Sequence, residues 1–591
     1  MRRDIRITTA TLLVLLGGSG CNSILDVSPK DQFPEQAVFA DPNLAEAFLN
    51  DIYRGMGHGL YEIMLSSLTD ETHFIHGYGT DKIVQAVITP SDRGCLDDGR
   101  LAHYNWGSTY PRIRQANIFL SHVEAAAFDP VLKQRMKGEA LFLRAYFYHN
   151  LMRMYGGVPL ITKVYGLNED YSVARNSFQE TVAFIAANAD SAAALLPLSY
   201  SGADVGRATK GAALALKARV LLYAASDLYN VNPSGQQENG YTTPQDRTAL
   251  WRAAKDAAKA VMDLGTYNLF RPNPANAQEA AQNYGDLFLQ KVSNEAIMSR
   301  YFLSTRDDGY NPGLFNGPNG FHTWGGNTPI QNLVDDYRMA DGSKFDWNNP
   351  AEAAAPYANR DPRFYASIAY DGAPWRPRPD DVKKLDPVGI IQTFRALKLP
   401  DSSVVAGLDT RDSPVENWNG AYSGYYVRKF IDPSVNAQFT KEEVPWIFFR
   451  YAEVLLNYAE ASIELNELGD AATVLNQIRV RAGMPPFSAA LGQAALRDEY
   501  RNERRIEMAF EEQRFFDVRR WMVAPPALSK PAQGINIFLV GTSRTDRTTW
   551  TNYRYATDTV QTRVWNDKMY FMPIRLDEMN RNSLLKQNPG Y

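Results

Sequence analysis

The sequence predicts a mainly α-helical protein in which stacked helical hairpins carry long aromatic loops and a few short strands. Three observations predict it. Apolar residues recur at helical spacing in several long segments, and these segments end at glycines and follow one another in pairs. A stretch rich in Pro, Gly, Asn and Trp separates the pairs near the middle of the chain. At 591 residues the chain exceeds the about 250–300 residues at which a single core stops growing.

In chain order, the first element is "MRRDIRITTATLLVLLGGSGC". Arg2, Arg3 and Arg6 precede a short apolar run, Thr8–Leu16, and then small residues, Gly17–Gly20. This is the pattern of a secretory signal over 1–20, and the run is far below the about 20 residues that a membrane-spanning helix needs. Cys21 has three readings: half of a disulfide, a chance residue of the signal, or the acylated first residue of a bacterial lipoprotein. The small residues before it favour lipid attachment, although Gly18 stands where a processing site usually carries an aliphatic residue. An acylated Cys21 leaves Cys95 unpaired, and Cys95 is then expected as a buried small apolar residue.

The helical segments follow over 21–265. "VLKQRMKGEALFLRAYFYHNLMRMYGG" stops at Gly156-Gly157, "ATKGAALALKARVLLYAASDLY" is Ala-rich and suits close helix approach, and "TALWRAAKDAAKAVMDLG" stops at Gly265. Over 266–444 loops such as "GYNPGLFNGPNGFHTWGGNTP" and "YDGAPWRPRPDD" dominate, with short helices and strands between them. Helices return over 445–525. In "WIFFRYAEVLLNYAEASIELNELG", Ile447, Tyr451, Val454, Tyr458, Ala461 and Leu465 form one helical stripe that stops at Gly469. "DAATVLNQIRVRAG" follows, capped by Asp470 and stopped by Gly483. Two helices joined by a tight turn are the unit of tetratricopeptide-like stacks, so about four such hairpins are expected, drawn from both regions. Trp251, Trp446 and Trp521 fall on predicted helices and are assigned to the core.

Composition excludes several functions. A net charge of −4 is no electrostatic grip for nucleic acid. Residues 501–520 hold six Arg and five Asp or Glu, a near-balance that predicts Arg–carboxylate pairing between packed helices. Glu453 and Glu460 share a helix face, and Arg450, three residues before Glu453, is its expected ion-pair partner. The sequence carries no nucleophile elbow, no H-E-x-x-H and no P-loop. His73 and His76 lack a further clear metal ligand, and "DGSKFD" lacks the spacing of a calcium loop. No cofactor and no metal are expected.

A set of motifs, in this order, carries a resemblance: "LDVSPKDQF", "RIRQANIFL", "RAYFYHNLMRMYGGVPLIT", "GRATKGAALALKARVLLYAA", "LVDDYRMADG", "NRDPRF", "GYYVRKF", "FRYAEVLLNYAEA", "LNQIRVRAGMP", "ERRIEMAFEEQRFFDVRRW" and "NSLLKQNPGY". The chain resembles the SusD/RagB family of outer-membrane glycan-binding lipoproteins nearly end to end. The resemblance implies a SusD-like fold with four tetratricopeptide-like hairpins and a ligand-binding face of loops and short strands. It also implies an oligosaccharide ligand, no enzymatic activity, and a SusC-like TonB-dependent transporter as partner. The location implied is the outer membrane, lipid-anchored and facing the cell exterior.

A sugar presents flat C–H faces and a rim of hydroxyls, so its binder needs exposed aromatic rings beside amide, carboxylate or guanidinium groups. The chain is rich in rings, with 32 Tyr, 28 Phe and 10 Trp, and two regions supply both kinds of group. One runs from Asp70, His73, His76 and Tyr78 to Asn105 and Trp106; the other holds Phe321, His322, Trp324, Trp375 and Arg376. Packing competes as a role for Trp106, which stands just before a helix, whereas Trp324 precedes Gly325-Gly326 and suits a platform. The family implies that ligand contacts come from loops equivalent to these two regions. A peptide-capturing lid and a surface glycosidase are the rival readings. The membrane attachment has a direct test: Cys21→Ala is expected to move the protein from the membrane fraction to the soluble fraction. Retention in the membrane fraction when expressed alone contradicts the lipid reading.

Overall fold

The computed structural model describes residues 35–166, 168–230, 239–306, 310–488 and 490–591. The signal, Cys21 and "LDVSPKDQF" lie outside the described residues.

Helix starts follow local chemistry. Helix α1 (Pro42–Arg54) begins with Pro42 at its first position and Asp41 accepting the Asn43 N–H. After α2 (Trp106–Val123), α3 (Pro130–Tyr155) is capped by Asp129 in the same way. Helix α4 (Phe178–Leu195) opens with a reciprocal box between Ser177 and Glu180. Thr209 caps α5 (Lys210–Ala225) and Asp246 caps α6 (Arg247–Met262). Helix α7 (Ala277–Leu289) follows, and then α8 (Tyr451–Glu464), α9 (Leu468–Arg481), α10 (Gln493–Glu507) and α11 (Arg514–Arg520).

Each of these helices packs on the next through α6: α1 on α2, α2 on α3, α3 on α4, α4 on α5, and α5 on α6. The stack then crosses directly to α8, which packs on α9 and α10. Buried alanines along α5 let α4, α6 and α8 approach it. The intervening 266–444 segment is thus an excursion whose two ends are held together by the helical stack.

Ten strands are described, most of them short: β1 (Thr72–Phe74), β2 (Ala296–Arg300), β3 (Asn327–Pro329), β4 (Ile368–Ala369), β5 (Ala396–Lys398), β6 (Val404–Val405), β7 (Tyr426–Val427), β8 (Trp446–Arg450), β9 (Ala532–Val540) and β10 (Thr551–Gln561). They form three two-stranded ladders, β1–β3, β2–β8 and β4–β7, and one sheet ordered β10-β9-β5-β6. Within that sheet β5 runs parallel to β9, and the other pairings are antiparallel.

Three expectations are corrected here. "WIFFR" is strand β8 and not the first turn of a helix: its apolar and aromatic side chains are buried on both faces and it pairs with β2. Trp446 is therefore buried on a strand, while Trp251 is buried on α6 and Trp521 just beyond α11. Gly469 lies in the first turn of α9; the reversal is made earlier, at Asn466, which takes a left-handed φ of 58°. Glu453 pairs with Arg219 of α5 at 2.6 Å, not with Arg450. With Arg450 on a strand, helical three-residue spacing does not apply to it.

Arg450 instead enters a buried lattice. Five cations, Arg363, Lys429, Arg450, Arg479 and Arg481, face five carboxylates, Glu295, Asp361, Glu503, Glu507 and Glu511. Arg450 reaches Glu507 at 2.6 Å, Glu511 at 2.7 Å and Glu295 at 2.8 Å. Arg363 reaches Glu503 at 2.6 Å and Glu507 at 3.0 Å. Burial alone would raise the Glu507 carboxyl; Arg481, Arg450 and Arg363 overcome it and hold the group well below the usual carboxylate range. A second cluster joins Glu460 to Arg520 at 2.6 Å and to the Trp521 indole N–H at 2.6 Å. The expected pairing over 501–520 is thus present.

Glu507→Gln keeps the shape and removes one charge from this balanced set. The expected loss of unfolding free energy near neutral pH is about 3–5 kcal/mol, measured by chemical denaturation. A depressed native pKa adds stability that is full above the ordinary carboxylate range and lost as pH falls through it. The gap between variant and wild type should therefore narrow at about pH 3.5; a gap that stays constant with pH contradicts the pairing.

Candidate functional site

The ladder between β1 and β3 brings the two expected regions together, with His73 opposite Thr328 and Phe74 opposite Asn327. Pairing continues as the Ile75 N–H donates to the Gly326 carbonyl at 3.0 Å. Asn327 fixes the register. Its side chain accepts from the Met64 N–H and the Ser67 hydroxyl, and donates to the Glu62 carbonyl and to Asn316 Oδ1. All four of its side-chain hydrogen-bonding positions are thereby used inside the protein.

From this ladder a cluster of rings emerges. Tyr78 is 52% exposed and lies 5.6 Å from Phe74, with the Arg100 guanidinium 5.0 Å over its face. Trp324 is 38% exposed and 5.5 Å from Phe315. His76 joins the two loops: its Nε2 lies 3.0 Å from the Trp324 carbonyl, and its ring is 6.3 Å from Tyr78. Burial lowers the His76 pKa below its ordinary value, so the ring is neutral near pH 7 and donates that hydrogen bond.

A third loop completes the face. Gly325 has φ 52°, and a β-carbon there would lie 2.4 Å from the Asn419 carbonyl oxygen, so only glycine lets the two loops meet. That contact sets Trp418, 73% exposed, beside the Trp324 loop. Tyr422 is 44% exposed, 5.7 Å edge-on to His73 and covered on one face by Arg411 at 3.9 Å. Burial, then Arg563 and Arg411, push the His73 pKa down to about 4, leaving a neutral ring at the base of the cluster.

The other expected residues have structural work. Asp70 is buried between Arg505 at 2.6 Å and Arg514 at 2.8 Å, which overcome the effect of burial and hold its carboxyl well below the usual range. Asn105 caps α2 through the Gly107 N–H and donates to the Leu96 carbonyl. Trp106 is buried, edge-on to Tyr155 at 5.4 Å, and offers no exposed face. Phe321 is fully buried among Ala369, Ala373, Ile391 and Tyr426, with Arg378 4.0 Å over it. These four are corrected to packing and capping roles. His322 donates to Asp381 at 3.0 Å, at the edge of this region. Trp375 packs 6.5 Å from Phe321, and Arg376 donates to the Val435 carbonyl. No hydrogen bond or ring contact joins these two to the Tyr78–Trp324 cluster among the described residues.

Sequence reasoning missed Trp418, Tyr422 and Arg411. The signal was present: "ENWNGAY" sets a tryptophan between Asn residues just before a glycine, much as "HTWGGN" sets Trp324 before two glycines. Cys95 is free and buried, and burial pushes its thiol up from the ordinary value. Among the described residues no group of three His, Cys, Asp or Glu side chains is placed to hold a metal, and no helix is long and apolar enough to cross a membrane.

Two family models match the chain. One, described as the SusD family, covers 288–591; the other, described as starch-binding associating with outer membrane, covers 24–222. A SusD-like protein of Formosa agariphila, P25, is 23% identical, over 82% of this chain and 79% of that protein. A SusD-like protein of Bacteroides fragilis has a solved structure that matches with a TM-score of 0.74 at 28% identity, covering 96% of this chain and 100% of that one. A SusD-like carbohydrate-binding protein from the same organism matches with a TM-score of 0.68 at 24% identity, over 93% of this chain and 100% of that one. With one of these models spanning half of its length and the fold shared along nearly all of it, the chain belongs to the SusD family.

Proposed function

We propose that this protein is a non-enzymatic, lipid-anchored protein of the outer membrane that captures oligosaccharide at the cell exterior. The captured sugar would pass to a SusC-like TonB-dependent transporter on which the protein sits. The observation that carries the capture step is the exposure of four rings, Tyr78, Trp324, Trp418 and Tyr422, on three loops that meet at the β1–β3 ladder and at the Gly325–Asn419 contact. Rings of this kind stack on sugar C–H faces, and Arg100, Arg411 and the backbone around Gly325 supply hydrogen-bonding groups beside them.

The carboxylates near the rings support binding over hydrolysis. Glu62 accepts from Arg100 at 2.7 Å, and Glu416 accepts the Asn419 N–H at 3.1 Å. Each is committed to holding a loop. Handover to a transporter is supported by the family, whose second matching description associates it with the outer membrane. Anchoring by Cys21 supplies the high local concentration that makes weak capture useful.

Affinity electrophoresis against a panel of soluble polysaccharides tests the capture step. At least one polysaccharide is expected to retard the wild-type protein. Trp324→Ala and Trp418→Ala should each weaken that retardation by about tenfold, in line with about 1–2 kcal/mol per well-placed ring. Trp375→Ala should leave it nearly unchanged. Retardation by a neutral polysaccharide that survives loss of both Trp324 and Trp418 contradicts the assignment. Release of reducing ends from the polysaccharide contradicts the non-enzymatic reading.

A further inference from the structure

A second concavity lies away from the ring cluster, between one face of α7 and the segments 365–374 and 428–433. It has a volume of about 520 Å³. Helix α7 presents Gln278, Gln282 and Gly285 to it, at helical spacing. Gly285 leaves the helix wall flat: a β-carbon there would meet only Ala366, at 3.8 Å. Opposite stand Tyr365, Tyr370 and Arg428. The two rings are 6.0 Å apart and tilted by 59°, which makes an angled aromatic wall.

The charges in and beneath this cleft are paired, with one exception. Asp286 is neutralised by Arg271 at 2.7 Å, and Lys429 beneath the cleft is paired with Glu511 at 2.7 Å. Arg428 donates once, to the Pro374 carbonyl at 2.8 Å, and lies 5.6 Å over the Trp375 ring. Among the described residues no carboxylate pairs with it. A half-buried guanidinium with unused N–H groups matches a carboxylate or sulfate, to which it bonds through two parallel donors.

We propose that this cleft is a second saccharide subsite that takes an anionic sugar unit. Arg428 binds the carboxylate or sulfate, Tyr365 and Tyr370 pack on the ring, and the Gln278 and Gln282 amides meet hydroxyl groups. The subsite uses none of the residues of the Tyr78–Trp324 cluster, so either site can fail its test without the other.

Saturation-transfer NMR on the full chain tests this, with glucuronate, galacturonate and glucose 6-sulfate as probes and glucose as the neutral control. At least one anionic probe is expected to bind more tightly than glucose, and more weakly as salt rises. Arg428→Gln should weaken that binding about tenfold or more, the size expected for losing a charge-assisted pair. Arg428→Lys should keep part of it, and the double variant Trp324→Ala, Trp418→Ala should keep all of it. Gly285→Leu fills the cleft from the helix side without touching Arg428 and should abolish binding; this variant decides if Arg428→Gln unfolds. Anionic probes that bind no better than glucose overturn the proposal. So does binding that survives both Arg428→Gln and Gly285→Leu, or that is lost with Trp324 and Trp418.

Discussion

Arg450 and Glu507 form the contact on which most of the architecture depends. Arg450 closes strand β8 just as the chain turns into α8, and Glu507 closes α10. Around this pair gather Glu295, from before β2, Arg481, from the end of α9, and Arg363, from a short helix, Pro362–Ser367, in the middle of the chain. Removing so many charges from water is costly, and mutual attraction offsets the cost only if every member is met at hydrogen-bond distance. That requirement constrains geometry. In the observed arrangement of the ends of α9, α10 and β8, all five cations and all five carboxylates find partners. The same helix reaches the candidate site. Arg505 of α10 holds Asp70, immediately ahead of β1, and Glu511, just beyond α10, holds Lys429, just after β7. The strands that flank His73 and Tyr422 are thereby tied to one charged helix end.

Rings in this protein do two different jobs. Most are buried, and many carry a guanidinium on one face: Arg378 on Phe321 at 4.0 Å, Arg519 on Phe515 at 3.6 Å, Arg219 on Phe449 at 4.0 Å. Such stacking lets arginine enter a core without leaving its flat faces unpartnered. Fewer rings, among them Trp418 and Trp324, are left with an open face. The difference between Phe321 and Trp324, three residues apart, is a short turn: residues 319–321 bury the phenylalanine, and Gly325 then tips the chain outward against Asn419.

The helical stack was legible because its signals are local. Stripe spacing and the terminal glycines Gly156, Gly265 and Gly483 act within a turn or two of one another, whereas Asp470, read as a cap, lies inside the first turn of α9. Charge balance over 501–520 likewise announced ion pairing, though not the partners, which lie 444 residues away in the case of Arg514 and Asp70. "WIFFR" misled because a short apolar run reads equally as helix or strand until its neighbour is known. At the candidate site, sequence composition named two of the three loops that meet at the β1–β3 ladder and a mixed set of exposed and buried residues within them. Asp70 and Trp106 had suitable chemistry, but long-range contacts with Arg505 and Tyr155 claimed them. Trp418 carried the same local signature as Trp324, and long-range contacts, Gly325 against Asn419 and Asn319 donating to the Thr410 and Glu416 carbonyls, set the two loops side by side.

The central claim is that sugar lies on the exposed rings of the braced loop face. Hydroxyl-radical footprinting with mass spectrometry tests it most directly, comparing the free protein with the protein saturated by a polysaccharide that retards it in gels. The expected result is reduced oxidation of Trp324, Trp418, Tyr78 and Tyr422, with Trp106, Trp251 and Trp446 unchanged at their low buried level. Full oxidation of the four exposed rings in the complex, with protection elsewhere on the surface, would contradict it.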